Sequence, residues 1–204
     1  MKNVKKIYQI LFITMLTAFL SSAVIGQTSK STFQFQKESK IWLEGTSTLH
    51  DFTITAKEFK SDLTIENSDD SKNEFKISKL ELIVPVKKLD SEKESMDENL
   101  QEAMDADNNP NIIFTLTSAS KILLNNKGDS TKIAAVGNLK IAGVTKLVNL
   151  DISVLRLDEN KFEFKGNKKL LMTDYNVDPP SMFLGTLKTA DEIYVNFNLI
   201  LNTK

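Results

Sequence analysis

The stretch GTSTLHDF, residues 45–52, places the only histidine of the chain, His50, beside Asp51 and after the hydroxyl side chains Thr46, Ser47 and Thr48. A base, an orienting carboxylate and a nucleophilic hydroxyl are the working parts of a hydrolase. Two observations argue against that chemistry. Adjacent residues on a strand point to opposite faces, so Asp51 is badly placed to orient His50. No G-x-S-x-G turn occurs to expose a serine. His50 is therefore read as structural or site-orienting, anchoring a strand near the end of a fold together with Asp51, and no catalytic residue is assigned. An enzyme acting on a lipid-like substrate through His50 with Asp51 or Asp174 remains the rival.

Other chemistries fare worse. DADNNPN (105–111) spaces Asp105, Asp107 and Asn109 like the start of a calcium loop, but Pro110 and Leu116 occupy the positions that need Gly and Glu. Without cysteine and with a single histidine, zinc has too few ligands, so no metal and no cofactor is expected. No phosphate-cradling glycine loop is present. The 27 acidic residues allow many carboxylate pairs for glycoside hydrolysis, with nothing to select one. Trp42 and Phe183 could stack on a sugar, or simply fill a core.

The elements that position these residues alternate with period two. Phe33 and Phe35 share a face, as do Phe52 and Ile54, and Leu63 and Ile65. The same holds for Leu80, Leu82, Val84 and Val86, for Ile112, Phe114 and Leu116, and for Leu139 and Ile141. Val148, Leu150, Ile152 and Val154 follow, then Phe162 and Phe164, then Ile193 through Leu201. Apolar residues on one face and Lys, Asp, Glu, Thr and Asn on the other describe antiparallel strands with one wet side. NNKGDS (125–130) and ENSDDSKN (66–73) read as hairpin loops. One segment departs: Met96, Leu100, Ala103 and Met104 recur at helical spacing, with acids on the other face. Ser91 and Glu94 have capping-box spacing, and Pro110 lies past the end. A helix of about three turns is expected there, lying as a lid on the core.

This many one-sided strands cannot remain an open sheet without exposed edges. The expected class is all-β, an antiparallel β-barrel of about eight strands with one short inserted α-helix, a sandwich being the alternative. Period two looks the same for a packed interior and a hollow one.

The chain begins with a different pattern. Lys2, Lys5 and Lys6 precede an apolar run from Ile7 to Leu20, followed by SSAVIGQ. That is the layout of a secretory signal peptide over residues 1–26, cleaved after Gly26 with Ala23 as the alternative, and with residues 27–204 as one domain. The run is shorter than the roughly 20 residues of a membrane span, so no stable membrane insertion is expected after cleavage. The expected location is periplasmic or secreted. The full-length net charge of −1 lacks the basic excess of a nucleic-acid binder.

Four stretches together resemble the YceI-like family: TSTLHDF, MDENLQEAMDADNNPNIIF, GNLKIAGVTKLVNLDISV and DEIYVNFNLIL. Pro110, Ile112 and Phe114 match one signature. Gly137, Leu139, Ile141, Gly143, Val144, Thr145, Lys146 and Val148 match a second, more specific one. The resemblance implies an extended, lipocalin-like barrel in an exported bacterial protein that binds a polyisoprenoid or other long-chain lipid. Asn99, Ala103 and Met104 stand where many members carry aromatics and a histidine, so neither chain length nor headgroup carries over. Phe35, Trp42, Phe52, Leu82, Phe114, Ile141, Leu150, Phe164 and Phe197 are expected to line the interior and bind the ligand. Lys146 and Lys169 are candidates for a phosphate headgroup, and Pro179 and Pro180 stiffen a loop over one end. A homodimer is compatible with this reading, as is a filled barrel serving in secreted interactions.

Overall fold

The computed structural model describes residues 30–68, 71–182 and 187–202. The expected signal segment, the tip of the 66–73 loop and Phe183 lie outside these residues. Thirteen strands and one helix follow in order: β1 (Lys30–Phe33), β2 (Lys40–Ser47), β3 (Asp51–Ala56), β4 (Lys60–Ser68), β5 (Ser71–Pro85), β6 (Leu89–Asp90), α1 (Glu94–Ala103), β7 (Asn111–Ala119), β8 (Ile122–Leu123), β9 (Ser130–Ile141), β10 (Val144–Asp158), β11 (Lys161–Leu171), β12 (Ser181–Met182) and β13 (Leu187–Asn202).

All pairings are antiparallel, in the order β1-β4-β5-β7-β9-β10-β11-β13-β2-β3-β6. The two ends of this ladder meet through the chain itself. β3 and β4 are separated only by Lys57–Phe59, and β5 and β6 only by the turn Val86–Lys88. Ala56 lies opposite Leu89 and Lys60 opposite Ile83, with the Lys57 N–H donating to the Lys88 carbonyl at 2.9 Å between them. Each pair is thus one long, kinked strand, and the sheet curls back on itself as expected for an eight-strand barrel. Past β1, Phe35 bridges to Leu201 and the Gln36 N–H reaches the Ile200 carbonyl at 2.7 Å, tying the start of the fold to β13.

The period-two pattern fixes which face turns inward. Val148, Leu150 and Ile152 of β10 stand opposite Gly137, Ala135 and Ile133 of β9, while Leu147, immediately before Val148, is 64% exposed. The β9–β10 hairpin turns through Ala142 and Gly143, both at positive φ (45° and 81°). This is the primed turn that matches strand twist, and it accounts for the glycine in the GVTK signature.

One end of the barrel is packed solid. Leu63, Phe75, Ile122, Val154, Phe162 and Leu201 form its core, four of them with no exposed surface. Arg156, the only arginine in the chain, secures this end. Its guanidinium donates to the carbonyls of Leu124 (2.7 Å), Asn125 (3.0 Å) and Glu159 (3.0 Å) and to Asn73 Oδ1 (3.2 Å), and it lies over the Phe162 ring. At the other end a second cluster, including Ile54, Val86, Met104 and Tyr175, packs beneath α1.

The helix does not begin as its spacing suggests. Lys93, not Ser91, is the N-cap residue, and no side chain caps it. Asp97 reaches back instead and accepts the Ser91 N–H at 2.8 Å. An acid in the first turn is favourable at this dipole end.

Candidate functional site

The barrel is hollow between its two clusters. A cavity of about 410 Å³ is lined from β2, β3, β5, β7, β9, β10, β11 and β13, with α1 at its mouth. That size falls within the range of small-ligand sites, and the walls are almost wholly apolar. The choice between packed and hollow, which alternation left open, is thereby settled, and a filled barrel is set aside.

Eight of the nine residues expected to line the interior face this cavity, Phe35, Phe52, Leu82, Phe114, Ile141, Leu150, Phe164 and Phe197, while the ninth, Trp42, borders it from a strand position that faces outward. Trp42 needs a correction. Its indole N–H donates to Glu44 Oε1 at 3.0 Å, two residues along the same strand, and Glu44 also accepts from Asn196, directly opposite Trp42. The indole thus belongs to the outer face, and Ile41 and Leu43 take the inward positions.

Three of the remaining aromatics share one device. Phe52 covers Gly45, Phe114 covers Gly137 and Phe197 covers Gly166, each so closely that a Cβ on the glycine would overlap the ring. Gly45 and Phe52 face each other across β2 and β3, and Gly166 and Phe197 across β11 and β13. Glycine lets a ring lie against the wall of the sheet instead of projecting across the lumen. The hollow is thus built by pairing the largest inward side chains with the smallest.

The mouth gathers His50, Leu49, Lys93, Met96, Leu100 and Lys188. Ser47 fixes the β2–β3 turn: its hydroxyl donates to the His50 carbonyl at 2.8 Å and accepts the His50 N–H at 3.3 Å. The His50 ring itself is exposed. Its Nδ1 lies 2.9 Å from the backbone carbonyl of Asp51, not the carboxylate, and its Nε2 lies 3.2 Å from Lys93 Nζ. The anchoring role expected of His50 and Asp51 therefore falls to Ser47 and the backbone. Asp174 is engaged elsewhere, by Lys146 at 2.7 Å.

On the opposite lip, Met172–Tyr175 forms a short 3₁₀ turn. Asp191 accepts the Thr173 hydroxyl (2.7 Å) and N–H (2.8 Å), and these bonds hold its carboxyl below the ordinary range. Burial pushes the Tyr175 hydroxyl upward, and the neighbouring Asp174 charge adds to this. Pro180 also borders the cavity here.

Charge on the cavity is one-sided. Lys93, Lys168 and Lys188 border it, with the His50 ring, and among the described residues no carboxylate does. Lys146 and Lys169, the headgroup candidates from the sequence, are instead paired outside it, with Asp174 and Glu192. Lys168, which sequence reasoning passed over, is the lysine that faces in. Among the described residues no group of three or more His, Asp or Glu gathers to hold a metal ion, and no helix is long and apolar enough to cross a membrane.

The fold recurs in solved structures. A polyisoprenoid binding domain from Saccharophagus degradans, implicated in plant cell wall breakdown, superposes with a TM-score of 0.64 at 10% identity, covering 87% of this chain and 100% of its own. BcnA of Burkholderia cenocepacia gives 0.61 at 15% identity, covering 80% of this chain and 96% of its own. A Campylobacter jejuni YceI protein gives 0.55 at 22% identity, covering 74% and 84%. No functionally curated protein matches the chain. The YceI-like domain matches residues 24–201, which span the sheet, the helix and the cavity, and the chain belongs to that family.

Proposed function

We propose that this protein is an exported carrier that holds a long-chain apolar ligand, a polyisoprenoid or similar lipid, inside its barrel and performs no chemistry on it. The observation that carries the reading is the apolar cavity itself, open at one end and floored at the other. A tail that enters gains about 0.8 kcal/mol for each buried CH₂, so a long chain is retained by the walls alone. A polyisoprenoid binding domain of the same fold supports the ligand class. Export rests on the N-terminal pattern of residues 1–26 and predicts a mature chain that starts at Gln27.

Native mass spectrometry of the protein purified from a bacterial host, followed by solvent extraction, tests the reading. A discrete bound mass that extracts as a long-chain lipid is expected. A clean unliganded mass that stays unchanged after incubation with polyisoprenoid lipids would sink it. His50→Ala separates carrier from enzyme: a carrier keeps its bound lipid unaltered, whereas an enzyme loses turnover and accumulates substrate.

A further inference from the structure

We propose that the ligand carries an anionic head, a carboxylate or a phosphate, and that Lys168 holds this head inside the barrel. The proposal rests on the carrier reading and narrows it to one class of lipid.

The inward positions of β11 are Phe162, Phe164, Gly166, Lys168 and Leu170, so one ammonium interrupts an apolar face. Its register fixes its depth. Lys168 stands opposite Val195, Val195 opposite Leu43, and Leu43 opposite Ile54, all of them cavity walls. The layer nearer the mouth holds Leu170, Ile193, Gly45 and Phe52. Lys168 is therefore half-buried and one layer within the barrel.

Its neighbours on the strand show what it lacks. Lys165 and Lys169 point outward and pair with Glu163 and Glu192, whereas no carboxylate among the described residues pairs with Lys168. A charge drawn away from water without a counter-ion is costly, and a norleucine-like apolar side chain would suit the same wall better. The apolar stem can lie along Leu43 and Val195, but the ammonium keeps an unmet demand for an anion. Lys93 and Lys188 line the approach with the same sign, although acids outnumber basic residues over the chain, 27 to 26. The charged side chains on the cavity lining itself are thus all lysines, and a lining of one sign favours an anion. With the head at Lys168, the tail runs toward Leu80, Ile133, Phe164 and Leu199 at the floor.

Displacement of the neutral probe N-phenyl-1-naphthylamine by palmitate, hexadecyl phosphate and hexadecanol tests this on the full-length mature chain. The unaltered protein is expected to prefer the two anions to the alcohol by at least about 10-fold, the scale of one charge-assisted hydrogen bond. Lys168→Met should abolish that margin while hexadecanol competes as before, and Lys168→Arg should keep it. A stronger response to phosphate than to carboxylate, or the reverse, identifies the head. Equal affinity of the unaltered protein for palmitate and hexadecanol overturns the proposal, as does a margin that survives in Lys168→Met. If the probe binds and none of the three displaces it, the carrier reading falls as well.

Discussion

Phe52 covers Gly45 across the β2–β3 ladder with the outer edge of its ring, Cε2 lying 2.9 Å from where a Cβ on the glycine would be. Gly45→Ala must therefore push the ring into the lumen. Overpacking of this kind costs about 1–3 kcal/mol. The expected outcome is a lower melting midpoint together with weaker lipid capture. Phe52→Leu added to Gly45→Ala should recover part of the stability, and a strictly additive double mutant would refute the coupling.

Leu150 lies midway along β10, opposite Ala135, with its side chain on the cavity. Leu150→Trp places an indole where the tail would run. Bound lipid measured by extraction should fall several-fold or more, while the circular dichroism of the sheet stays unchanged. Retention of a full lipid load would place the tail somewhere other than this cavity.

Asp191 ties the Met172–Tyr175 turn to β13, and its carboxyl is held low chiefly by the Thr173 hydroxyl. A carboxylate depressed in the folded state stabilises above its unfolded value near about pH 4, and that contribution is lost as pH falls through the folded value. The Asp191→Asn variant should melt below the unaltered protein at neutral pH, and the gap should close toward pH of about 2–3. Thermal melts of both proteins across that range check the sign. A gap that widens in acid would contradict it.

Arg156 satisfies four backbone carbonyls, those of Leu124, Asn125, Asp158 and Glu159, and the Asn73 side chain at the packed end of the barrel. Lysine keeps the charge but not the planar fork, so Arg156→Lys should lose about 2 kcal/mol of stability. Denaturant melts should show this loss with lipid capture intact, since the cavity walls do not include Arg156.

The readable part of this fold was the part where solvent writes a pattern. Lys132, Asn138 and Lys140 on β9 alternate with Ile133, Gly137 and Leu139, and their faces followed directly. Ile41, Trp42 and Leu43 form an unbroken apolar run, which carries no period; the strand register and the hydrogen bond to Glu44 decide which face Trp42 takes. Lys168 escaped notice for the opposite reason, since its charge resembles a wet-face residue. Counting in twos from Phe162 and Phe164 would have found it. The breaks between β3 and β4 and between β5 and β6 left no mark, because a kinked strand keeps its alternation on either side. The capping-box spacing at Ser91 misled, as Asp97 was available to take the same N–H.

The solid end of the barrel has a metric consequence. Because Leu63, Ile122, Val154 and Leu201 close the floor, a tail cannot thread through and must stop there or double back. The distance from the mouth to that floor is a built-in gauge. Each added carbon strengthens binding until the gauge is full, and beyond that length the surplus hangs in water and contributes nothing. In the proposed carrier the floor, more than the walls, sets the length of tail that can be buried.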